Sequence, residues 1–377
     1  MMTMRMNSKT LALVLGLLVP GCNAESGRVL PSDDPPQYKH SAIEHIDEIS
    51  NSRRNALTKA IELVSPAVVG INVTEIRERA VNPLFYFFYG ERTFVERFQS
   101  VGSGFIISPD GYLVTNDHVA GRASEIMITM TDGSKHPAKL VGTDPVTDIA
   151  LLKIDVRGRL PFLKLGDSDD VIVGEWSIAF GNPFGLFTSS AKPTVTVGVI
   201  SSTHVYLEQR EGRVYRNMLQ TDASINSGNS GGPLVNSLGE VIGINTVIYS
   251  PNQGSVGLGF AVPINRAKEI VEILKRKGEV DRKFDPGFRA QAVNEAIAQA
   301  YNLERIEGVV VTRLTNRNGA AFKSGLEEAD IILKADGEPI YSVNALQALI
   351  RYSLRGDVIR LEVLRNNKIR TIDLKLE

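Results

Sequence analysis

Residues 226–234 read Asn226-Ser227-Gly228-Asn229-Ser230-Gly231-Gly232-Pro233-Leu234. Ser230 stands among three glycines, between a polar turn and an apolar run. Glycine adopts backbone angles that a Cβ forbids, so main-chain N–H groups can converge beside a serine oxygen. A Gly-Ser-rich stretch by itself is most often only a turn. Its meaning depends on what stands upstream.

Two upstream segments complete a pattern. The first is Gly102-Ser103-Gly104-Phe105-Ile106-Ile107-Ser108, followed by Gly111-Tyr112-Leu113-Val114-Thr115-Asn116-Asp117-His118-Val119. It reads as strand, turn, strand, with His118 just past a buried strand. The second is Asp144-Pro145-Val146-Thr147-Asp148-Ile149-Ala150-Leu151-Leu152-Lys153-Ile154, in which Asp148 opens an apolar run. The order His118, Asp148, Ser230 is that of chymotrypsin, not of subtilisin or the α/β-hydrolases. A serine hydroxyl needs a base within hydrogen-bond reach to become a nucleophile. Histidine titrates near neutrality, so His118 can take the proton and return it to a leaving amine. An aspartate fixes the imidazole tautomer and steadies the imidazolium. The other histidines, His40, His45, His136 and His204, lack such flanks. Asp144 competes with Asp148, but Asp144 before Pro145 reads as a turn or cap, whereas Ile149-Ala150-Leu151-Leu152 buries the strand that Asp148 opens.

These three segments resemble the HtrA/Deg family of trypsin-like serine proteases, from about Ala56 to the C-terminus. Asp117 is a departure, because the family usually has Ala or Asn before the histidine. The resemblance implies a mainly β fold, a chymotrypsin-like double β-barrel followed by an α+β PDZ domain. It assigns the oxyanion hole to the backbone N–H groups of Gly228 and Ser230, and the walls of the primary substrate pocket to Ile225, Val247 and Ile248. A narrow aliphatic pocket selects small apolar side chains, and only broadly. The run Asn82-Pro83-Leu84-Phe85-Tyr86-Phe87-Phe88-Tyr89-Gly90 falls where Deg proteases carry a loop at a trimer interface, which implies a homotrimer; the other reading is a piece of the core. The charged segment Ser201–Met218 corresponds to the loop that senses PDZ occupancy, and Ser189–Thr194 reads as an insertion nearby. Whether the free enzyme is poised or latent stays open at this point.

Composition agrees with an enzyme of this kind. The chain of 377 residues is long enough for two or three domains. Its net charge of −1 removes any electrostatic case for nucleic acid. Short apolar runs rich in Val, Ile and Gly between Val68 and Val262 suggest barrels and not βαβ units.

Cys22 is the single cysteine, so no intrachain disulfide can form. Arg5 and Lys9 precede an apolar stretch, Leu11 to Val19, ending Val19-Pro20-Gly21-Cys22. Residues 1–22 therefore read as a signal peptide, and they look like a bacterial lipoprotein signal with Cys22 lipidated. An ordinary secretory signal or an uncleaved anchor is the alternative. All three place the chain outside the cytoplasm, in the periplasm of a Gram-negative bacterium. Residues 23–55 are polar with three prolines and read as a tether, with a short helix around Ile43–Leu63.

The protease domain is expected over 56–265 and a linker over 266–284. Within the linker, Ala267, Ile270, Val271, Ile273 and Leu274 predict a helix over Arg266–Lys277, closed by Gly278. The remainder, 285–377, resembles one PDZ domain, with a helix from Val343 to Tyr352 and a last strand, Val358–Arg365. PDZ domains take a peptide C-terminus by strand addition. The carboxylate loop here reads Gly287-Phe288-Arg289-Ala290 without the family's later glycine, so peptide capture and a closed groove are both open readings.

The sequence thus predicts an exported serine endopeptidase, membrane-tethered through Cys22. It would act on unfolded or mislocalised envelope proteins in quality control or stress response, under PDZ control, with no metal or cofactor. The alternatives are a non-hydrolysing chaperone or adaptor, and a DegS-type regulatory protease with one membrane-protein substrate.

Overall fold

In a computed structural model, residues 52–79, 94–182, 192–226, 228–248, 256–301, 303 and 305–377 are described. Cys22, the tether up to residue 51, the aromatic run 82–90 and residues 183–191 lie outside the described residues. The first described helix, α1 (Ala56–Val64), opens with a capping box in which the Asn55 side chain accepts from Thr58 N at 3.0 Å. Its Ala60 and Val64, four residues apart, are buried.

Short alternating strands then close two barrels. The first contains β1 (Val68–Arg79), β2 (Phe94–Ile106), β3 (Tyr112–Thr115), β4 (Glu125–Thr129), β5 (Lys135–Asp144) and β6 (Ile149–Ile154), in the order β1-β2-β3-β6-β5-β4. The second contains β7 (Trp176–Gly181), β8 (Thr194–Val205), β9 (Met218–Thr221), β10 (Pro233–Val235), β11 (Val241–Ile248) and β12 (Gly259–Pro263), in the order β10-β11-β12-β9-β8-β7. The expected double barrel is present. Closure leaves no free sheet edge, and the interiors fill with Ile71, Phe105, Leu113, Leu151, Phe180 and Ile200, all fully buried.

Two registers matter for chemistry. In the antiparallel β3–β6 pair, Thr115 faces Ala150. Extending the chain past each partner therefore brings residues 116–118 beside residue 148. In the β10–β11 pair, Pro233 faces Ile244, and the pairing runs on through Gly231 N to Asn245 O at 2.8 Å and Asn245 N to Gly232 O at 2.9 Å. That continuation brings Ser230 opposite Thr246.

Helix α3 (Ile264–Lys277) follows a short turn of helix, α2 (Asp117–Ala120). It starts at Ile264, two residues before the expected Arg266, because Pro263 at φ −59° sets the entry. Ile264, Ala267, Ile270, Val271 and Leu274 are buried, and Gly278 ends the helix in the left-handed region, φ 75°.

The C-terminal sheet runs β13 (Phe288–Ala292), β14 (Val309–Leu314), β15 (Ile331–Ala335), β17 (Val358–Arg365) and β18 (Lys368–Lys375), with β16 (Glu338–Pro339) paired to β15. Helices α4 (Glu295–Ala300), α5 (Ala320–Lys323) and α6 (Val343–Tyr352) accompany it. Val358–Arg365 is not the last strand. Asn366 and Asn367, at φ 50° and 57°, turn the chain back into β18. That strand gives a weak sequence signal because only Ile372 and Leu374 of its eight residues are buried.

Asp144 takes a structural part at the end of β5. It is 2% exposed and pairs with Arg282, whose Nε donates to Oδ1 at 3.0 Å and whose Nη2 donates to Oδ2. The Nη1 of Arg282 donates to the carbonyls of Arg351, Tyr352 and Ser353, each at 2.8 Å. A cation thus sits on the negative end of α6, while Arg266 stacks over the Tyr352 ring at 4.3 Å. Removing one partner of a buried pair leaves an uncompensated charge, at a cost of about 3–5 kcal/mol. Arg282→Ala should therefore lower the unfolding free energy by an amount of that order, measured by urea unfolding.

Candidate active site

His118 lies in the first turn of α2, immediately after β3, and Asp148 immediately before β6. The β3–β6 pairing makes them neighbours. His118 Nδ1 stands 2.8 Å from Asp148 Oδ2 and 3.0 Å from Oδ1, and the His118 backbone N–H donates to Oδ1 at 3.0 Å. Asp148 holds φ 61°, a left-handed conformation uncommon without glycine. Its side chain is fully buried, while that of His118 is 34% exposed. The base therefore turns one edge to a buried acid and the other toward the open side.

Ser230 sits in the glycine turn before β10. Its hydroxyl donates to the carbonyl of Thr246 at 3.5 Å. The hydroxyl of that same Thr246 donates to Asp148 Oδ2 at 2.6 Å. Thr246 joins the serine to the acid–base pair. Among the described residues, no hydrogen bond runs directly from Ser230 to His118; such bonds are often long until substrate is bound.

The turn is stitched to the first barrel. Ser103 N donates to Ser230 O at 2.9 Å, and Ser103 Oγ donates to Gly228 O at 2.5 Å. Gly231, at φ 84°, presses on Thr115 Oγ1 and Ser103 O so closely that a Cβ there would collide with both. Gly228 holds φ 97°. Among the described residues, the N–H groups of Gly228 and Ser230 find no acceptor. An oxyanion requires main-chain donors beside the attacking oxygen.

Ile225 is 1% exposed and packs beneath Gly259. Val247 and Ile248 lie on β11 opposite Phe260 and Gly259, and their side chains lie outside the described residues.

Residues 102–244 match the family model of the trypsin-like peptidase domain, and residues 285–376 match that of the PDZ domain. A periplasmic serine endoprotease of Pseudomonas putida, named DegP-like, is 40% identical over 342 residues, covering 85% of this chain and 69% of the relative. The chain belongs to the HtrA/DegP-like serine endoproteases. A relative of the same name from Chlamydia muridarum is 43% identical over 267 residues, covering 71% of this chain and 52% of its own length. The structure of the HtrA-type protease AlgW with a decapeptide superposes at TM-score 0.62 with 36% identity, covering 85% of this chain and 98% of that one. The serine endoprotease from Yersinia pestis gives TM-score 0.53 and 32% identity, covering 85% and 97%.

For a DegP-like endoprotease, two residues escaped the sequence. Thr246 was hidden because a threonine in a strand carries no motif. Arg213 was hidden among the charges of the segment after β8, yet its Nε donates to Asp148 Oδ1 at 3.1 Å. Its Nη2 donates to Asp117 Oδ2 at 3.3 Å. The family departure at Asp117 was the available signal that a new partner existed.

The Asp148 carboxyl is held below its ordinary range. Burial opposes the charged form, but hydrogen bonds and charge from His118, with the Thr246 hydroxyl, outweigh it. A folded value below the unfolded one contributes stability that is present above the unfolded pKa and lost as pH falls through the folded one. Acid titration of stability should therefore be shallower below pH 4 in Asp148→Asn than in the unsubstituted protein, followed by circular dichroism. Thr246→Val removes a donor to a charged group, a loss of about 1.5–3 kcal/mol. It should lower kcat/KM by roughly 10–100-fold on a peptide substrate.

Proposed function

We propose that Ser230, His118 and Asp148 form the catalytic triad of this endopeptidase. The observation that carries this reading is the meeting at Thr246: its hydroxyl binds the buried acid that holds His118 Nδ1, and its carbonyl receives the Ser230 hydroxyl. With Nδ1 turned to Asp148, Nε2 is the nitrogen left to take a proton. In the reaction we propose, the Ser230 hydroxyl leaves the Thr246 carbonyl and donates to Nε2. The oxygen attacks the scissile carbonyl carbon as its proton passes to His118. The N–H groups of Gly228 and Ser230 receive the oxyanion. Collapse breaks the C–N bond, and the imidazolium hands its proton to the leaving amine. Water then repeats the sequence on the acyl-serine.

The substrates we assign are unfolded or mislocalised envelope proteins in the periplasm, met in quality control or stress. The solved relatives that carry a decapeptide or a tripeptide support a peptide-binding protease. The signal-like run ending at Cys22 supports a lipid tether, and the aromatic run 82–90 supports a homotrimer through interface anchors. The pocket we assign to Ile225, Val247 and Ile248 favours small apolar side chains.

The segment between β8 and β9 supports the PDZ control we propose. Its Gly212 carbonyl accepts from Arg351 Nη2 of α6 at 2.9 Å. The neighbour of Gly212 is Arg213, which touches Asp148. A peptide added to the outer edge of β13, beside α6, therefore acts on a segment that reaches the triad. In the sheet order β13 is terminal, which supports strand addition there.

Ser230→Ala should abolish covalent labelling by a fluorophosphonate and cleavage of casein; labelling that persists in the variant moves the nucleophile elsewhere. Cys22→Ser should move the protein from the membrane to the soluble fraction of lysed cells, and unchanged sedimentation excludes attachment at that residue.

A further inference from the structure

The acid of the proposed triad is shared between an imidazole and a guanidinium. On one side it holds His118. On the other, Arg213 Nε donates to its Oδ1 at 3.1 Å. A guanidinium in that position offsets the negative charge that would steady an imidazolium. The same guanidinium extends Nη2 to Asp117 Oδ2 at 3.3 Å. Asp117 is fixed in turn by the Thr143 hydroxyl at 2.5 Å. The side chains of Arg213 and Asp117 are each 11% exposed and that of Asp148 is fully buried. The result is a buried row of carboxylate, guanidinium and carboxylate beside the imidazole. It carries one net negative charge, the same as an unaccompanied aspartate.

The row is set by backbone, not by chance contact of long side chains. Val214 N donates to Val146 O at 2.8 Å, and Arg213 N donates to Arg210 O at 2.9 Å. These bonds fix the main chain on both sides of the arginine next to the segment that carries Asp148. Glu211 Oε2 also meets Arg213 Nη1 at 3.1 Å, but its side chain is 79% exposed and well screened. Asp117 is the buried partner.

We propose that Arg213 and Asp117 are a matched pair of positioning residues for peptide hydrolysis: Arg213 braces the Asp148 carboxylate against His118, and Asp117 restores the negative charge that Arg213 alone would cancel. The pair rests on the triad reading above. It predicts a sign reversal. Asp117→Asn leaves Arg213 to neutralise Asp148 at the moment the imidazolium forms. A unit charge within several ångströms, at an effective dielectric of about 20, shifts such an equilibrium by more than about ten-fold. Removing Arg213 as well returns an unaccompanied Asp148, still held by His118 and Thr246.

The test is steady-state cleavage of an apolar peptide substrate by the full chain. Asp117→Asn should lower kcat by roughly ten-fold or more with KM unchanged. The double variant Asp117→Asn/Arg213→Gln should recover kcat to within about three-fold of the unsubstituted enzyme. A purely structural ion pair gives the opposite order, with the double variant no faster than the single one. Wild-type kcat in Asp117→Asn, or no recovery in the double variant, overturns the proposal. Thermal melts report folding. Should Asp117→Asn not fold, the low-field proton resonance of His118 Nδ1–H is compared between Ser230→Ala and Ser230→Ala/Arg213→Gln. A downfield move on loss of the cation supports the pair, and an unmoved resonance overturns it. Fluorophosphonate labelling separates the two levels. If Ser230→Ala still labels, the triad reading fails; if labelling is lost and Asp117→Asn is silent, the pair alone fails.

Discussion

A single buried carboxylate organises this protein. Asp148 has no exposed side-chain surface, and an ionised group in that state demands donors on each oxygen. They come from separated parts of the chain: the backbone and ring of His118, the hydroxyl of Thr246 and the guanidinium of Arg213. The first barrel supplies His118, the second supplies Thr246, and a loop outside both supplies Arg213. Satisfying one acid therefore ties three pieces of structure together. The left-handed backbone at Asp148 is unfavourable for a residue with a Cβ, and these converging hydrogen bonds hold it there.

The meeting of the barrels depends equally on small residues. Ser103 bonds to both sides of the Ser230 turn, through Ser230 O and Gly228 O. Gly231 lies so close to Thr115 and Ser103 that no side chain fits. The glycines that mark a turn in the sequence thus have a second use, as the points where one barrel's backbone touches the other's. With the carbonyls fixed inward, the N–H groups of Gly228 and Ser230 find no acceptor among the described residues. The polarity of the turn follows from its packing.

The segment from Asp144 to Asp148 connects this chemistry to the C-terminal domain. Its first residue pairs with Arg282, which also gathers the carbonyl end of α6. Its last is the acid of the site. Thr147 Oγ1 donates back to Asp144 Oδ2 at 2.5 Å, and Val146 O accepts from Val214 N. Five residues thereby touch the PDZ helix through Arg282, the charged loop and His118. A displacement of α6 has a short, hydrogen-bonded route to the site.

Much of this was legible in the chain itself. Alternating apolar runs and glycine turns marked the barrels, and the flanks of His118, Asp148 and Ser230 marked the site we propose, because strand period and turn geometry are local properties written in adjacent residues. The choice of Asp148 over Asp144 was local too, since proline and the following apolar run distinguish them. The closing strand β18 was not legible, for it buries too few residues to show a period. Thr246, Arg213 and the part played by Asp117 were decided by tertiary structure alone. Thr246 and Arg213 reach one carboxylate across 98 and 65 residues of sequence, and Arg213 reaches Asp117 across 96; no local pattern records which distant side chain will satisfy a buried charge.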